Sequence, residues 1–194
     1  MQQFPLILGS GSPRRKELLK LAEIDFEVLV SDVDESFEAD MPVREVPEML
    51  ALRKARAIQN RSDVADCWIL TADTIVILDG KIIGKPVDRT DAIAILTSLS
   101  GRKHTVVSGV CLLKGEEVYQ FSDETDVFFN ELTREEIVYF VDMCRPFDKA
   151  GAYAIQEWIG LIGVKRIEGC FYNVMGLPVP RIYQVLKQIG FNKV

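Results

Sequence analysis

The pattern of hydrophobic and polar positions changes its period several times along the chain, which separates predicted strands from predicted helices. Leu6–Leu8 is a short apolar run that stops at small residues, so it predicts a buried strand entering a tight loop. Residues 14–22 place apolar side chains on one helical face, with Ser12 at the N-cap position and Pro13 at the first helical position. The chain therefore begins with a strand, a loop of small residues and a helix.

Similar changes of period predict the remaining elements. Residues 68–78 are nearly all apolar and β-prone, which is typical of a central strand, and Asp79 and Gly80 predict a hairpin turn after them. A capping-box pattern that starts at Thr133 predicts another helix. Between the last two predicted helices we expect a loop with short strands. The further predicted strands are 26–30, 81–83, 105–113 and 118–129, and the predicted helices are 14–22, 47–60, 91–99, 133–143 and 180–189.

The composition is that of a globular protein. The chain has 194 residues, of which 48% are hydrophobic and 27% are charged, so it can bury a core without disulfides or structural metal. No internal repeat or low-complexity linker divides it, and we expect a single domain over residues 1–194. The mixture of strands and helices predicts an α/β or mixed α+β fold, with two lobes and a cleft between them.

The net charge of −6 argues against a nucleic-acid-binding module, which needs a basic surface, but it allows a small anionic substrate. The N-terminal residues lack the charged start and the apolar run of a signal peptide, and no apolar stretch is long enough to cross a bilayer. The four cysteines form no C-x-x-C pair. We therefore expect a cytoplasmic protein with reduced thiols, no zinc site and no contact with a membrane.

Residues 9–16 combine small side chains, a predicted helix start and three cationic side chains. Small residues let the backbone approach a ligand closely, and the free amide groups of a helix N-terminus attract an anion. Arg14 and Arg15 in the first turn oppose the helix dipole unless an anion lies there. Neither the Walker nor the Rossmann pattern fits the segment. It predicts a phosphate-binding loop, and a capped surface helix with solvated arginines is the alternative.

Asp73 interrupts the apolar run of residues 68–78. A carboxylate in such a strand is costly unless it is paired, bound to a metal or protonated. Asp73 is therefore a candidate metal ligand, general base or both. The alternative is a strand end at which Asp73 caps a turn, but residues 75–78 continue the apolar run.

Several other polar residues are candidates only in combination. Lys54 and Lys85 can each offer a cation to a triphosphate, and the acidic run 32–35 can supply a metal ligand, because Mg²⁺ takes one or two carboxylates plus phosphate oxygens. The amide of Gln156 can donate to and accept from a base edge. Solvated lysines, a solvated acidic loop and an ordinary turn explain the same residues as well. His104, the only histidine, receives no role.

Five short segments occur in a distinctive order: SGSPRR from Ser10, ADT from Ala72, GKP from Gly84, DKAGAY from Asp148 and GLP from Gly176. Together they resemble the Maf family of nucleotide pyrophosphatases over almost the whole chain. The first and fourth segments are specific, and the others agree with the family in order and spacing. Gly9 is a departure, because alanine is usual there, but a glycine should not harm a tight loop.

This resemblance implies an elongated mixed α/β fold, in which helices flank a central mixed sheet and the active site lies in a cleft between two lobes. It implies a divalent cation, Mg²⁺ or Mn²⁺, and hydrolysis between the α- and β-phosphates, and it suggests a homodimer. Asp73 would be the proton acceptor. The positions tied to substrate choice would be Arg14, Thr74 and Gln156. Phosphate contacts are assigned to Ser10, Ser12, Arg15, Lys54 and Lys85, and a metal contact to Glu35.

The DKAGAY segment with Gln156 after it resembles the subgroup that acts on dTTP and UTP. We therefore expect hydrolysis of these nucleotides to the monophosphate and pyrophosphate. One alternative is a nucleotide-responsive regulator of septum formation without essential turnover, and another is a pyrophosphatase for noncanonical purine nucleotides. Asp73 favours an enzyme, because a protein that only binds nucleotide gains nothing from a costly carboxylate that faces phosphates.

Overall fold

The computed structural model describes residues 5–61, 64 and 66–191, and in these residues seven strands and seven helices form a mixed α/β fold. The expected fold class is thereby confirmed. The strands are β1 Leu6–Leu8, β2 Glu27–Val28, β3 Trp68–Leu78, β4 Lys81–Ile83, β5 Lys103–Lys114, β6 Glu117–Phe129 and β7 Val164–Glu168. The helices are α1 Pro13–Leu21, α2 Val46–Gln59, α3 Arg89–Leu99, α4 Arg134–Cys144, α5 Trp158–Gly163, α6 Phe171–Val174 and α7 Val179–Gln188.

All the described strands belong to one mixed sheet, in the order β2-β1-β3-β5-β6-β7, with β4 paired to β3. β1 is parallel to both β2 and β3, whereas β4 is antiparallel to β3 and β7 is antiparallel to β6. β5 and β6 are neighbours joined by a two-residue turn at 115–116, a connection that only antiparallel strands can have.

The described residues form two compact units, and the long strands β3, β5 and β6 each contribute to both. The first unit contains the described parts of Met1–Asp73, Ser108–Asp123 and Gly176–Val194. The second contains Thr74–Val107 and Glu124–Met175. Asp73 is therefore the last residue of β3 that belongs to the first unit. The expectation of a single domain over the whole chain stays a prediction.

The core of the first unit forms where α2 packs against β1 and β3. Ala51, Ala55 and Ile58 follow the helical period and are all buried, so α2 presents a narrow apolar face. That face packs with Ile7 and Ile69, which are paired residues of the parallel strands β1 and β3. Strands covered in this way read as continuous apolar runs, which explains the composition of Leu6–Leu8.

The sequence-based elements differ from the structure in one shortened strand and two helices that were not predicted, besides shifts of one or two residues at other ends. The predicted strand 26–30 is reduced to Glu27–Val28, and both residues are exposed. The loop with short strands expected after residue 146 contains β7 but also the helices Trp158–Gly163 and Phe171–Val174. These helices have six and four residues, which is too short for a periodic pattern to emerge. Among the described residues, no helix is both long and apolar enough to span a membrane.

Candidate active site

The loop between β1 and α1 is held in place by Arg15. Arg15 Nη1 donates to Ser10 Oγ at 3.2 Å and to the Ala72 carbonyl at 2.7 Å, and Nε donates to the Gly176 carbonyl at 2.8 Å. Burial lowers the pKa of the Arg15 guanidinium, and the negative charge of Asp73 partly offsets this effect. Arg15 thus joins three separate segments of the first unit. Two of its nitrogens already bind the protein. The phosphate contact assigned to Arg15 stays a prediction.

The start of α1 agrees with the predicted N-terminal geometry except for the cap itself. Ser12 occupies the N-cap position and Pro13 the first helical position, but the Ser12 side chain makes no capping hydrogen bond. Instead the Ser12 amide donates to the buried Ser10 Oγ at 3.3 Å. Arg14 is half-buried in the first turn. The phosphate contacts of Ser10 and Ser12 and the specificity role of Arg14 remain predictions.

The packing around this loop is tight at Gly9. A Cβ atom at Gly9 would lie 2.5 Å from Thr71 Cγ2 and 2.6 Å from Ile58 Cδ1, which is too close for an unshifted structure. The Gly9 amide also donates to the Leu70 carbonyl at 2.8 Å, which extends the pairing of β1 with β3. The glycine therefore brings the loop close to β3, near the residues that precede Asp73.

Lys54 and Asp73 meet because α2 is fastened to β3 one helical turn earlier. Thr71 Oγ1, which is buried, donates to the Ala51 carbonyl at 2.6 Å. Asp73 lies two residues after Thr71, so its side chain leaves the same face of the strand. Lys54 lies three residues after Ala51, so it leaves a neighbouring position on the helix surface. The polar pair is thus placed by the same packing that buries the apolar face of α2.

The Lys54 ammonium binds two carboxylates. Lys54 Nζ is 2.6 Å from Asp73 Oδ1 and 2.7 Å from Glu35 Oε1. The side chains of Lys54 and Asp73 are only 14% and 15% exposed, whereas that of Glu35 is 58% exposed. Asp73 therefore lies inside β3 as a paired carboxylate, as the apolar run around it predicted, and not at a strand end.

Glu35 and Asp73 form a donor set that fits a magnesium-type cation. Both carboxylates touch one ammonium, so they are close enough to share one cation. The described residues contain no group of three or more His, Cys, Asp and Glu side chains arranged to hold a metal. A pair of carboxylates agrees with Mg²⁺, which takes one or two protein carboxylates and completes its coordination with water and substrate phosphate oxygens.

The remaining predicted residues lie in the second unit. Thr74 follows Asp73 in β3 and is half-buried, and Lys85 is exposed in the loop after β4. Gln156 is half-buried, and its Oε1 is buried without a hydrogen-bond partner among the described residues. The Gly151 amide donates to the Gly84 carbonyl at 3.0 Å, so the segment that leads to Gln156 is joined to the loop that carries Lys85.

Sequence reasoning gave no role to several residues around these sites. Lys149 is buried and pairs with Asp148 at 2.8 Å and with Glu157 at 3.4 Å, so an ion pair crosses the segment that contains Gln156. His104 Nε2 is 2.7 Å from the Tyr153 hydroxyl, and both residues are buried. The only signals were that Lys149 and Tyr153 belong to the DKAGAY segment and that the single histidine begins a strand.

A family model described as Maf-like protein matches residues 5–189. The chain belongs to the Maf family. The segment from Ser10 and the DKAGAY segment, from which the resemblance was drawn, both lie within the matched residues. The paired carboxylates on Lys54 and the Arg15-bound loop are thus features of a Maf protein.

Curated proteins named dTTP/UTP pyrophosphatase are similar to this Maf protein over nearly its full length. One from Bacteroides thetaiotaomicron is 48% identical and covers 97% of this chain and 98% of the relative. One from Porphyromonas gingivalis is 48% identical and covers 98% of this chain and 96% of the relative. One from Christiangramia forsetii is 42% identical and covers 97% of this chain and 96% of the relative.

The fold is also similar to a solved structure, that of the Staphylococcus aureus Ham1 protein. The TM-score is 0.54, and the match covers 95% of this chain and 99% of that chain. The sequences are only 14% identical. The likeness therefore concerns the fold of this Maf protein.

Proposed function

We propose that this Maf protein is a nucleoside triphosphate pyrophosphatase that hydrolyses dTTP and UTP to the monophosphate and pyrophosphate in the cytoplasm. The observation that carries the proposal is Asp73, a paired carboxylate with 15% exposure inside a strand, held by Lys54 at 2.6 Å. Relatives named dTTP/UTP pyrophosphatase at 42–48% identity supply the substrate class.

Asp73 acts as the general base of the reaction. It orients a water molecule and accepts its proton as the water oxygen attacks the α-phosphorus. The bond from that phosphorus to the bridging oxygen breaks, and pyrophosphate leaves with the electron pair. Lys54 fixes the Asp73 carboxylate through the contact at Oδ1, so the other oxygen can face the water.

Cationic side chains and the α1 N-terminus bind the triphosphate. Arg14 and Lys85 provide charge-assisted hydrogen bonds to phosphate oxygens, and Ser10 and Ser12 line the loop before the helix. Arg15 contributes by holding this loop through the Ser10 hydroxyl and the Ala72 carbonyl. Charge that develops on the departing pyrophosphate is stabilised by the same groups.

Glu35 and Asp73 would hold the divalent cation, Mg²⁺ or Mn²⁺. Both carboxylates already bind one cationic group, the Lys54 ammonium. When bound, such a cation neutralises phosphate charge and lowers the pKa of water near it. Lys54, which contacts both carboxylates, would keep them oriented toward the cation.

Gln156 and Thr74 select the base. The buried Gln156 Oε1 lacks a hydrogen-bond partner among the described residues, and leaving such an atom unpaired costs free energy. A pyrimidine N–H group can satisfy it, and the amide nitrogen can donate to a pyrimidine carbonyl. Arg14 and Thr74 complete the set of residues assigned to substrate choice.

A panel of dTTP, UTP, CTP, ATP, GTP and ITP with Mg²⁺ tests the proposal. Orthophosphate is measured before and after inorganic pyrophosphatase is added, and the nucleotide product is identified by chromatography. We expect dTTP and UTP to turn over fastest, the monophosphate to form, and orthophosphate to appear only after the second enzyme. Nucleoside diphosphate with immediate orthophosphate would refute the cleavage position, and preference for ITP would replace the pyrimidine assignment with the purine one.

A further inference from the structure

The loop that carries Glu35 is joined to α2 by hydrogen bonds from Arg53 to its backbone and by the ion pair between Lys54 and the Glu35 side chain. Residues 31–39 have no helix or strand assignment, and residues 34–40 are exposed. A loop of this kind samples many backbone conformations unless specific contacts order it. Glu35 can therefore stand beside Lys54 consistently only if something fixes the backbone on both sides of it.

Arg53 provides that fixation. Its Nη1 atom donates to the Asp34 carbonyl at 2.5 Å and to the Ser36 carbonyl at 2.7 Å. These are the carbonyls of the residues directly before and after Glu35. We propose that Arg53 is a positioning residue of the active site, which holds Glu35 against Lys54 and Asp73. The proposal rests on the role of Glu35 in the proposed function.

The loop is also closed locally, so that Arg53 holds a defined turn. Asp34 Oδ1 accepts from the Ser36 amide at 2.9 Å, and Asp34 Oδ2 accepts from the Ser36 hydroxyl at 2.5 Å. These hydrogen bonds lower the pKa of Asp34, and the nearby Arg53 charge acts in the same direction. Asp34 and Ser36 thus form a turn with Glu35 at its centre, and the two carbonyls that Arg53 binds belong to that turn.

The register of α2 makes the arrangement specific. Arg53 and Lys54 are consecutive residues of the helix, so one binds the backbone around Glu35 while the next binds its side chain. The Lys54 carbonyl accepts from Ser31 Oγ at 3.4 Å, which adds a weaker contact at the start of the loop. The same turn of α2 therefore binds both the backbone on either side of Glu35 and the Glu35 side chain.

The charge on Arg53 is not itself aimed at a substrate in this arrangement. Among the described residues, the side-chain hydrogen bonds of Arg53 go to loop carbonyls. Removal of the guanidinium should therefore act through Glu35, with a smaller effect on phosphate binding. Outer residues that orient a metal ligand typically contribute about 10–100-fold to metal affinity or activity.

A double-mutant cycle tests the proposal on the full chain. The variants are Arg53→Met, which keeps the aliphatic stem, Glu35→Gln, and the two combined. Arg56→Met is the matched control, because Arg56 is an exposed arginine of the same helix whose side chain, within the part of the chain that the structure describes, makes no hydrogen bond to the loop. For each protein kcat, KM for dTTP, half-saturation by Mg²⁺ and the thermal midpoint are measured, and Mn²⁺ binding without nucleotide is followed by electron paramagnetic resonance.

We expect Arg53→Met to weaken Mn²⁺ binding and raise the Mg²⁺ half-saturation about 10-fold or more, with KM for dTTP changed much less. In the Glu35→Gln background the same substitution should add almost nothing, because coupled residues are not additive. Arg56→Met should match the unmodified protein in all readings.

Two different failures can be told apart. Full additivity of Arg53→Met and Glu35→Gln, or loss of thermal stability in Arg53→Met with normal Mn²⁺ binding, would overturn the positioning role while leaving the proposed function intact. If Glu35→Gln changes neither activity nor Mn²⁺ binding, the metal role of Glu35 is wrong and the positioning role falls with it. Pyrophosphate release by the unmodified protein checks the proposed reaction separately.

Discussion

At the scale of single residues, the candidate site is stabilised by the pairing of one ammonium, that of Lys54, with the carboxylates of Asp73 and Glu35. Lys54 and Asp73 are both largely buried, and removing one partner of such a pair leaves the other charge poorly compensated. Glu35 provides a second partner for the same ammonium. Loss of Asp73 thus leaves Lys54 with one carboxylate, whereas loss of Lys54 leaves two carboxylates facing each other.

Asp73→Asn separates catalysis from folding for this reason. The substitution keeps the size of the side chain but removes the proton acceptor, so kcat should fall by about two to four orders of magnitude, the usual contribution of a positioned base. Lys54 keeps Glu35 as its partner, so the thermal midpoint should change little. Binding of a nonhydrolysable dTTP analogue should partly survive, because Arg14 and Lys85 remain to bind its phosphates.

The measurement combines a pyrophosphate-release assay with calorimetric binding of the analogue and a thermal melt. Thr71→Val is a useful comparison, because it removes the bond to the Ala51 carbonyl that fastens α2 to β3 without touching the charges. That variant should lose stability more than Asp73→Asn does. A well-folded Asp73→Asn protein with near-normal kcat would show that Asp73 is not the base.

At the scale of elements, the segment from α4 to α5 is shaped by its backbone. Gly151 has φ of 70°, and the next residue, Ala152, has φ of 57°, so two consecutive residues adopt the left-handed region. Lys149 pairs with Glu157 across this turn, and the Gly151 amide binds the Gly84 carbonyl. The turn therefore sets the direction of the chain toward Gln156.

Gly151→Ala tests this turn, with Gly80→Ala as its control. Both glycines have positive φ, 70° and 75°, so both variants carry the left-handed cost of about 1–2 kcal/mol. A Cβ at Gly151 would also lie 3.0 Å from Val76 Cγ2, whereas one at Gly80 meets nothing within 4 Å. Gly151→Ala should therefore lose more stability, and it alone should weaken the preference for dTTP over ATP.

Urea unfolding of the two variants gives the difference in stability, and kcat/KM for dTTP and ATP gives the preference. Equal losses of unfolding free energy would mean that the Val76 side chain moves away from the added methyl group without measurable destabilisation. An unchanged dTTP preference in Gly151→Ala would mean that the turn does not orient Gln156.

Two elements, β3 and α5, show what the sequence could and could not predict of the secondary structure. β3 was predicted with its full length, because a run of eleven mostly apolar, β-prone residues clearly indicates a buried strand. α5 was missed because Gly160 and Gly163 are poor helix formers within only six residues. A Cβ at Gly160 would lie 2.1 Å from the Ile155 carbonyl oxygen, so a close approach of the backbone, and not helix propensity, places this glycine.

At the scale of the whole molecule, the sequence singled out side chains of the candidate site but not the contacts that hold them in place. Asp73 was singled out because a carboxylate inside an apolar strand is unusual, and its pairing with Lys54 explains how it is tolerated. The attachment of Arg53 to the Glu35 loop could not be predicted, because backbone carbonyls of an irregular segment carry no sequence signal. The bonds of Arg15 to the Ala72 and Gly176 carbonyls could not be predicted either, because any residue type can offer a backbone carbonyl to a distant side chain.

A buried histidine should make the stability of the protein depend on pH. His104 is 1% exposed, and its ring packs edge-on against Phe129 and Tyr153 with centroids 5.0 Å and 5.3 Å away. Burial lowers its pKa from 6.5 to about 4, with the charge of Asp126 acting in the opposite direction. Its Nδ1 atom is buried and has no hydrogen-bond partner among the described residues, so protonation there gains no compensating contact.

The sign of the effect follows from proton linkage. Below pH 6.5 the unfolded chain protonates His104, whereas the folded protein keeps it neutral down to about pH 4. The contribution of neutral His104 to the free energy of unfolding is therefore complete above pH 6.5 and is lost progressively between pH 6.5 and 4. A shift of this size corresponds to about 3 kcal/mol of unfolding free energy. Because His104 is the only histidine, no other imidazole titrates in this interval.

Urea unfolding at pH 7.5, 5.5 and 4.5 should therefore show a falling free energy of unfolding, and His104→Gln should remove most of the fall that occurs above pH 4.5. Glutamine can still bond to the Tyr153 hydroxyl but does not titrate, so the carboxylate contribution is common to both proteins and cancels in the comparison. Parallel curves for the two proteins would contradict the prediction, because the acid sensitivity would then come from carboxylates alone.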